Sequence, residues 1–174
     1  EFYRQKMDSR GFEPNVTHRV LAKLEEIGKL DAIVTQNIDG LHQLAGSKCV
    51  YEIHGTTHKN YCASCGERVG ENYIFETTGI PRCPKCGGMI RPQVTLYEEG
   101  LPEDAVRGAV DVIRKADTLI VAGTSLNVYP AASYVYEFRG DHLIVLNKEP
   151  LHVQLNQEKD LFIEAAMGQV FVAL

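Results

Sequence analysis

The segment "AIVTQNIDGLH", residues 32–42, decides the fold. An apolar run typical of a buried strand leads directly into four polar side chains, which are Gln36, Asn37, Asp39 and His42. Polar groups at the end of a buried strand are costly unless they are hydrogen-bonded. The loop is therefore either tied down by the protein itself or built to bind a polar ligand.

A helix precedes this strand. Val16, Val20, Leu24 and Ile27 recur at helical spacing, so the pattern predicts a helix over about 15–27. Asn15 is the expected N-cap, and Gly28 stands where a helix ends. On this helix we place His18 on the polar side.

The rest of the chain alternates strands and helices. The expected elements are an extended piece at 49–55, a helix at about 103–116, a strand at 118–125, a helix opened by Pro130 over 131–138, a strand at 142–147, and a short strand and closing helix within 160–174. Strands that alternate with helices are typical of a parallel sheet. The fold class predicted is α/β.

Polar residues follow three of these strands at their carboxyl ends. Gln36-Asn37 follows the first, Gly123-Thr124-Ser125 the second and Asn147 the third. Ligands of open α/β sheets bind outside those ends. A self-satisfied turn stays an alternative for any single loop, but three such loops together favour a shared ligand site.

Four cysteines form two pairs, Cys62-x-x-Cys65 and Cys83-x-x-Cys86, with 17 residues between them. This spacing is typical of a four-cysteine zinc site. Disulfides are the alternative, and the expected intracellular location disfavours them. Four thiolates fill the zinc shell, so the ion is expected to be structural. Cys49 is expected to be a buried, inert thiol.

Composition narrows the possible partners. The 174 residues are 44% apolar, enough for one core plus a small stapled module, and the net charge is −5. We expect no nucleic-acid partner, because phosphate binding needs a basic face. The short apolar runs and the lack of a signal peptide lead us to expect no membrane role and a cytoplasmic location.

His54 is the histidine with the most suggestive surroundings. It ends the piece "VYEIHG", and Gly55 behind it would allow close backbone approach. A lone histidine is more often structural, although its pKa suits general base catalysis. His58 lies four residues further on, and the pair His54 and His58 only weakly indicates a metal site.

The chain resembles the sirtuins, which are NAD-dependent protein lysine deacylases. The resemblance rests on "PNVTHRVLAKLEEIGKLDAIVTQNIDGLHQLAG" at 14–46, "EIHG" at 52–55, the two CxxC pairs, "RPQV" at 91–94, "GTSLNVYPAA" at 123–132 and "VLNKEP" at 145–150. These segments occur in the family's order and spacing and cover nearly the whole chain.

The resemblance implies a set of residues that hold NAD. On the nicotinamide and ribose side these are Gln36, Asn37, Ile38 and Asp39. On the adenosine side they are Gly123, Thr124, Ser125, Asn147, Lys148, Glu149 and Met167.

The resemblance also implies the reaction and its catalytic residues. NAD is consumed as a co-substrate: the acyl oxygen of acyl-lysine attacks the ribose carbon, and nicotinamide leaves. His54 deprotonates a ribose hydroxyl, and Asn37 orients the ribose and a water. The products are lysine, nicotinamide and O-acyl-ADP-ribose.

The expected protein partner is an acyl-lysine peptide that adds as a strand beside residues 91–99. The implied substrate-binding residues are Val94, Leu96 and Tyr97, with Val94 and Tyr97 as walls of the acyl tunnel. The sequence departs here from the family pattern at Thr95, Tyr97 and Glu98. Tyr3 matches the family's succinyl-lysine pattern, but Lys6 stands where that pattern has Arg.

The resemblance leads to expectations about organisation. A Rossmann-like parallel sheet is expected at 1–58 and 93–174, with a zinc-binding module inserted at 59–92. A Gly-Ala-Gly segment is expected ahead of position 1, on a strand between those that lead to Gln36 and Gly123. Without it we expect the sheet to be incomplete and residues 1–174 alone to be inactive.

Two other functions compete with this one. A zinc-ribbon interaction module on an inert α/β scaffold would bind a partner without chemistry, and the acidic balance and polar strand ends disfavour it. An NAD-dependent dehydrogenase is disfavoured because no G-x-G-x-x-G opens a helix.

Overall fold

The first part of the chain carries two short parallel strands. In this computed structural model, which describes residues 2–151 and 153–173, the elements are α1 (Phe2–Lys6), α2 (Val16–Glu26), β1 (Ile33–Thr35), α3 (Leu41–Leu44) and β2 (Val50–Glu52). β1 pairs with β2 in parallel, with Ile33 opposite Val50. The strand predicted at 32–35 is confirmed, and the polar residues that follow Thr35 form a loop.

Helix α2 begins as predicted. The Asn15 side chain accepts a hydrogen bond from the His18 backbone N–H at 3.3 Å, and the Asn15 N–H donates to His18 Nδ1 at 3.2 Å. The placement of His18 on the polar side is wrong, because the residue is only 8% exposed. Its ring turns back to close the helix start and lies 4.7 Å, centroid to centroid, from that of His42.

The middle of the chain is an antiparallel module. Its elements are β3 (Gly55–Cys62), β4 (Arg68–Val69), α4 (Glu71–Glu76) and β5 (Ile90–Val94). The strand order is β4-β3-β5, and Ile74, Phe75 and Ile90 form the module's core. Strands β3 and β5 cross the predicted boundaries at 58/59 and 92/93. Tyr3 of α1 packs against this core, so the first helix contacts the module.

The last part holds the second parallel sheet. Its elements are α5 (Glu103–Lys115), β6 (Thr118–Ala122), a 3₁₀ helix (Ala131–Glu137), β7 (His142–Asn147), β8 (Leu161–Glu164) and α6 (Met167–Val172). The strand order is β6-β7-β8. Val121, Leu143 and Val145 form its core. Because the strands are parallel, the residues after Ala122, Asn147 and Glu164 all leave the sheet at the same side, where the carboxyl ends of the strands lie.

The predicted α/β fold is confirmed, with one difference in detail. The helix after Pro130 is a 3₁₀ helix, in which the Ser133 N–H and hydroxyl both donate to the Pro130 carbonyl three residues back. Within the described residues the parallel strands form two separate sheets, β1-β2 and β6-β7-β8. None of the helices in those residues is long and apolar enough to cross a membrane.

His54 and Gly55 join the first parallel sheet to the antiparallel module. Gly55 has a φ of +80°, and a Cβ there would lie 2.0 Å from the Gln93 carbonyl oxygen on β5. The close backbone approach predicted from sequence is confirmed. Only glycine lets β3 begin opposite Val94 directly behind His54.

Replacing Gly55 by alanine should destabilise the protein far more than replacing Gly79. Gly79 has a nearly equal φ of +77° but open space around its Cα, so Gly79→Ala should cost only the roughly 1–2 kcal/mol of a left-handed backbone. Gly55→Ala adds a clash with backbone and should cost more than about 3 kcal/mol. Urea unfolding of both variants measures the difference, and equal losses would contradict the close-approach argument.

Candidate functional site

Two of the three predicted loops meet in one cavity of about 360 Å³ at the carboxyl ends of β6, β7 and β8. It is lined by Gly123, Thr124, Ser125, Asn147, Lys148, Glu149, Ala165 and Met167. The sequence singled out all of these except Ala165. Ala165 directly follows β8, so the strand-end rule applied to a fourth strand would have found it.

The floor of this cavity is shaped by backbone and small side chains. A Cβ on Gly123 would lie 2.5 Å from Met167 Cε, so the Met167 thioether covers the glycine. Thr124 Oγ1 accepts the Leu126 N–H at 3.1 Å, and Ser125 Oγ accepts the Asn127 N–H. Because both hydroxyl oxygens act as acceptors here, their protons are free to donate to a polar ligand.

The loop 36–39 does not line this cavity, and its backbone is held by a different part of the chain. Its carbonyls accept hydrogen bonds from His54 Nδ1 to Gln36 (3.0 Å), from the Thr57 N–H and hydroxyl to Ile38 (3.1 Å each), and from His58 Nε2 to Asp39 (2.9 Å). The protein itself therefore ties down the backbone of this loop, while the Asn37 side chain is exposed.

The bond to Gln36 fixes the tautomer of His54. A carbonyl oxygen only accepts, so Nδ1 must carry the proton in this contact. In the neutral ring, Nε2 then keeps its lone pair. His54 is half-buried where β2 leads into β3, so this arrangement suits a general base beside the loop 36–39.

The candidate substrate residues differ in their placement. Val94 is 6% exposed and lies opposite Gly55, next to His54, and Leu96 is half-buried. Tyr97 is 100% exposed and so does not wall a tunnel in this structure. The turn at 94–99 points Tyr97 outward, and side-chain hydrogen bonds hold the turn in place.

A bidentate ion pair holds the turn at 94–99. Arg91 donates to both carboxylate oxygens of Glu99 at 2.6 and 2.7 Å, and also to the Val94 carbonyl at 3.0 Å. Glu99 also accepts the Leu96 N–H at 3.0 Å. These hydrogen bonds, that of Arg91 above all, lower the pKa of Glu99 to about 2. Sequence reasoning missed this pair, which links residues eight positions apart across a turn.

The four paired cysteines converge on one point. Their sulfur atoms all lie within 4.8 Å of one another, with Cys62–Cys86 at 3.5 Å, Cys65–Cys83 at 3.7 Å and Cys86–Cys65 at 3.3 Å. These separations far exceed the disulfide bond length of roughly 2.05 Å. They are close to those of four thiolates bonded to one tetrahedral zinc at about 2.3 Å. The residues therefore fit a structural zinc.

The two halves of the cluster repeat one backbone turn. Gly66 N–H donates to the Cys62 carbonyl, and Gly87 N–H to the Cys83 carbonyl, both at 2.9 Å. The second residue after each of these cysteines donates its N–H to the cysteine sulfur at 3.4 Å. Amide groups that point at sulfur favour the thiolate form that zinc requires.

Comparison with known proteins identifies the family. A model described as the Sir2 family matches residues 1–130. The chain belongs to the Sir2 family. Two similar relatives are called NAD-dependent protein deacetylase: one from Clostridium acetobutylicum is 53% identical over 98% of this chain and 69% of its own length, and one from Clostridium perfringens is 52% identical over 97% and 69%.

Solved Sir2 structures have the same fold. One, described as "Sir2-p53 peptide-NAD+", is 34% identical, with a TM-score of 0.88 over 99% of this chain and 75% of that one. Another, "Structure of Sir2Tm bound to a propionylated peptide", is 35% identical, with a TM-score of 0.89 over 99% and 74%. The Sir2 chain described here therefore shares the family's architecture through both parallel sheets and the cysteine module.

The cysteine cluster predicts one tightly held zinc per chain. Cys83→Ala should lose the metal and unfold the antiparallel module, because binding energy at such sites is folding energy. Cys49→Ala is the matched control, since Cys49 is half-buried but not part of the cluster, and it should keep its zinc. Elemental analysis and circular dichroism with and without chelator measure both effects. Fresh protein without stoichiometric metal would refute the zinc site.

Proposed function

We propose that this Sir2 chain is an NAD-dependent protein lysine deacetylase in which His54 is the general base. Family membership and the names of its relatives support the activity. The observation that carries the residue assignment is the His54 ring: Nδ1 is committed to the Gln36 carbonyl, which leaves Nε2 to take a proton.

NAD would contact two surfaces of the chain. The adenosine side would lie in the cavity lined by Gly123–Ser125, Asn147–Glu149 and Met167, whose hydroxyl donors and exposed backbone suit ribose and phosphate oxygens. The nicotinamide ribose would lie against Gln36, Asn37, Ile38 and Asp39. The fixed backbone of this loop presents Asn37 outward, where its amide can orient the ribose and a water.

NAD, bound as co-substrate, would supply the ribose carbon that the acyl oxygen attacks as nicotinamide leaves; addition of one water to the acyl carbon would then release lysine and leave O-acyl-ADP-ribose. His54 Nε2 takes the proton of the ribose hydroxyl that next attacks the acyl group. Gln36, through its carbonyl, holds the imidazole in the tautomer that this step needs. The zinc takes no part in the chemistry, because four thiolates leave no open coordination position.

An acyl-lysine peptide would bind along β5 and the turn that follows it. Val94 and Leu96 would contact the peptide, while the Arg91–Glu99 pair keeps the turn in place. We further propose a cytoplasmic location, because the five free cysteines suit a reducing compartment.

Loss of the His54 imidazole should abolish turnover without unfolding the protein. In a chain that releases nicotinamide from acetyl-lysine peptide and NAD, His54→Ala should lower kcat by at least about 100-fold, the usual contribution of a general base. His142→Ala is the control, since His142 is an exposed histidine at the start of β7, where its Nδ1 lies 3.0 Å from the Lys159 carbonyl oxygen. Wild-type deacetylation in His54→Ala would refute the assignment. Nicotinamide release that requires both NAD and the acetyl-lysine peptide separates this function from that of a non-catalytic zinc module, which would release none.

The enzyme should prefer acetyl-lysine to succinyl-lysine. Tyr3 packs against the module core and Lys6 is exposed, and a lysine offers a point charge without the bidentate fork that arginine presents to a carboxylate. The ratio of kcat/KM on acetylated and succinylated peptides of one sequence measures the preference. Lys6→Arg should lower the ratio of kcat/KM on the acetylated peptide to kcat/KM on the succinylated peptide. If the unmutated chain has a higher kcat/KM on the succinylated peptide than on the acetylated one, the prediction is overturned.

A further inference from the structure

His58 makes hydrogen bonds through both nitrogens of its ring. Nδ1 lies 2.8 Å from Glu71 Oε2, and Nε2 lies 2.9 Å from the Asp39 carbonyl oxygen. A carbonyl oxygen and an ionised carboxylate only accept hydrogen bonds, so both ring nitrogens must donate. Only the protonated imidazolium satisfies the two contacts at once.

These contacts join two separate parts of the fold. Glu71 is the first residue of α4 in the antiparallel module, and Asp39 belongs to the loop after β1. Gly40 makes the approach possible: a Cβ there would lie 2.3 Å from His58 Nε2. The bond to Asp39 is one residue from the Thr57 bonds to Ile38, so it extends the set of contacts that position the loop.

Charges of both signs surround His58. Glu71 faces it from α4, Glu52 from β2 and the Asp39 carbonyl from the loop, while the cationic Lys59 and Arg68 line the same open cavity as His58. Burial alone would lower the pKa of His58, but the hydrogen bonds to Asp39 and Glu71 outweigh it and hold the pKa above its ordinary 6.5.

We propose that His58 is a positioning residue. Its imidazolium donates one hydrogen bond to Glu71 and one to Asp39, and this tie between the antiparallel module and the loop 36–39 holds the loop in place to bind NAD. The proposal rests on the proposed function, since it assigns NAD to this loop. At 41% exposure of its side chain the ion pair adds little to global stability, so its effect is on the placement of the loop.

Because the tie requires the protonated imidazolium, it depends on pH. Because the pKa of His58 is raised in the folded protein, the tie is complete below pH 6.5 and is lost as the pH rises through the folded value. The neutral ring has one N–H and must release Glu71 or Asp39. NAD affinity should therefore fall with rising pH over this window.

The first test needs no catalysis. The His58 ring signals, assigned by their loss in His58→Gln, should titrate in NMR spectra with a midpoint above 6.5, and Glu71→Gln should move that midpoint down. The backbone amides of residues 38–41 should shift with the same midpoint in the wild type and should not do so in His58→Gln. A midpoint at or below 6.5, or loop amides indifferent to it, would overturn the proposal.

The second test measures NAD affinity by calorimetry at pH 6 and at pH 8.5. His58→Gln should weaken binding roughly tenfold at pH 6, the value of about one charge-assisted hydrogen bond, and much less at pH 8.5. His142→Gln should match the wild type at both. A loss equal at both pH values would indicate a merely structural role and overturn the proposal. If the wild type binds no NAD at any pH, the proposed function fails and the NAD part of this inference with it, while the NMR titration still decides whether the tie exists.

Discussion

Three residues from one short stretch of chain hold the loop that follows the first strand. His54, Thr57 and His58 supply the donors, and the carbonyls of Gln36, Ile38 and Asp39 accept them. A loop that leaves a buried strand has backbone groups that need partners, and here β3 and the residues before it provide them. The candidate base, the first parallel sheet and the cysteine module are consequently fixed relative to one another by the same few bonds.

This arrangement explains how a polar segment can be both satisfied and available. The backbone of the loop is bonded inward, so the cost of burying its carbonyls is met by the protein. The side chain of Asn37 is then not needed for the fold and stays exposed. The sequence left open whether the loop is held by the protein itself or built to bind a polar ligand. In the structure its main chain is held by the protein, while side chains remain available for a ligand.

Features that depend on local pattern were predictable from the sequence. The N-cap at Asn15, the order of strands and helices, and the CxxC turns follow from spacing within a few residues. For the cavity beside β6–β8, the strand-end rule found Gly123, Thr124, Ser125 and Asn147. The family resemblance added Lys148, Glu149 and Met167, and Ala165 was missed. Features that depend on partners distant in sequence were not predictable. His18 is buried because the ring of His42 packs beside it, and Tyr97 is exposed because Arg91 and Glu99 close the turn beneath it. The role of His58 was invisible for the same reason, since both of its partners come from other elements.

The contact between Gly40 and His58 has a consequence for how this protein can change over generations. Any side chain at position 40 would occupy the space of the imidazole, so the glycine cannot be replaced while His58 keeps its present place. A lineage that gains a side chain at 40 must first lose or shorten the one at 58, and one that keeps the histidine inherits the glycine with it. The two positions are thus a single unit of variation, although 17 residues, which include α3 and β2, separate them in the chain.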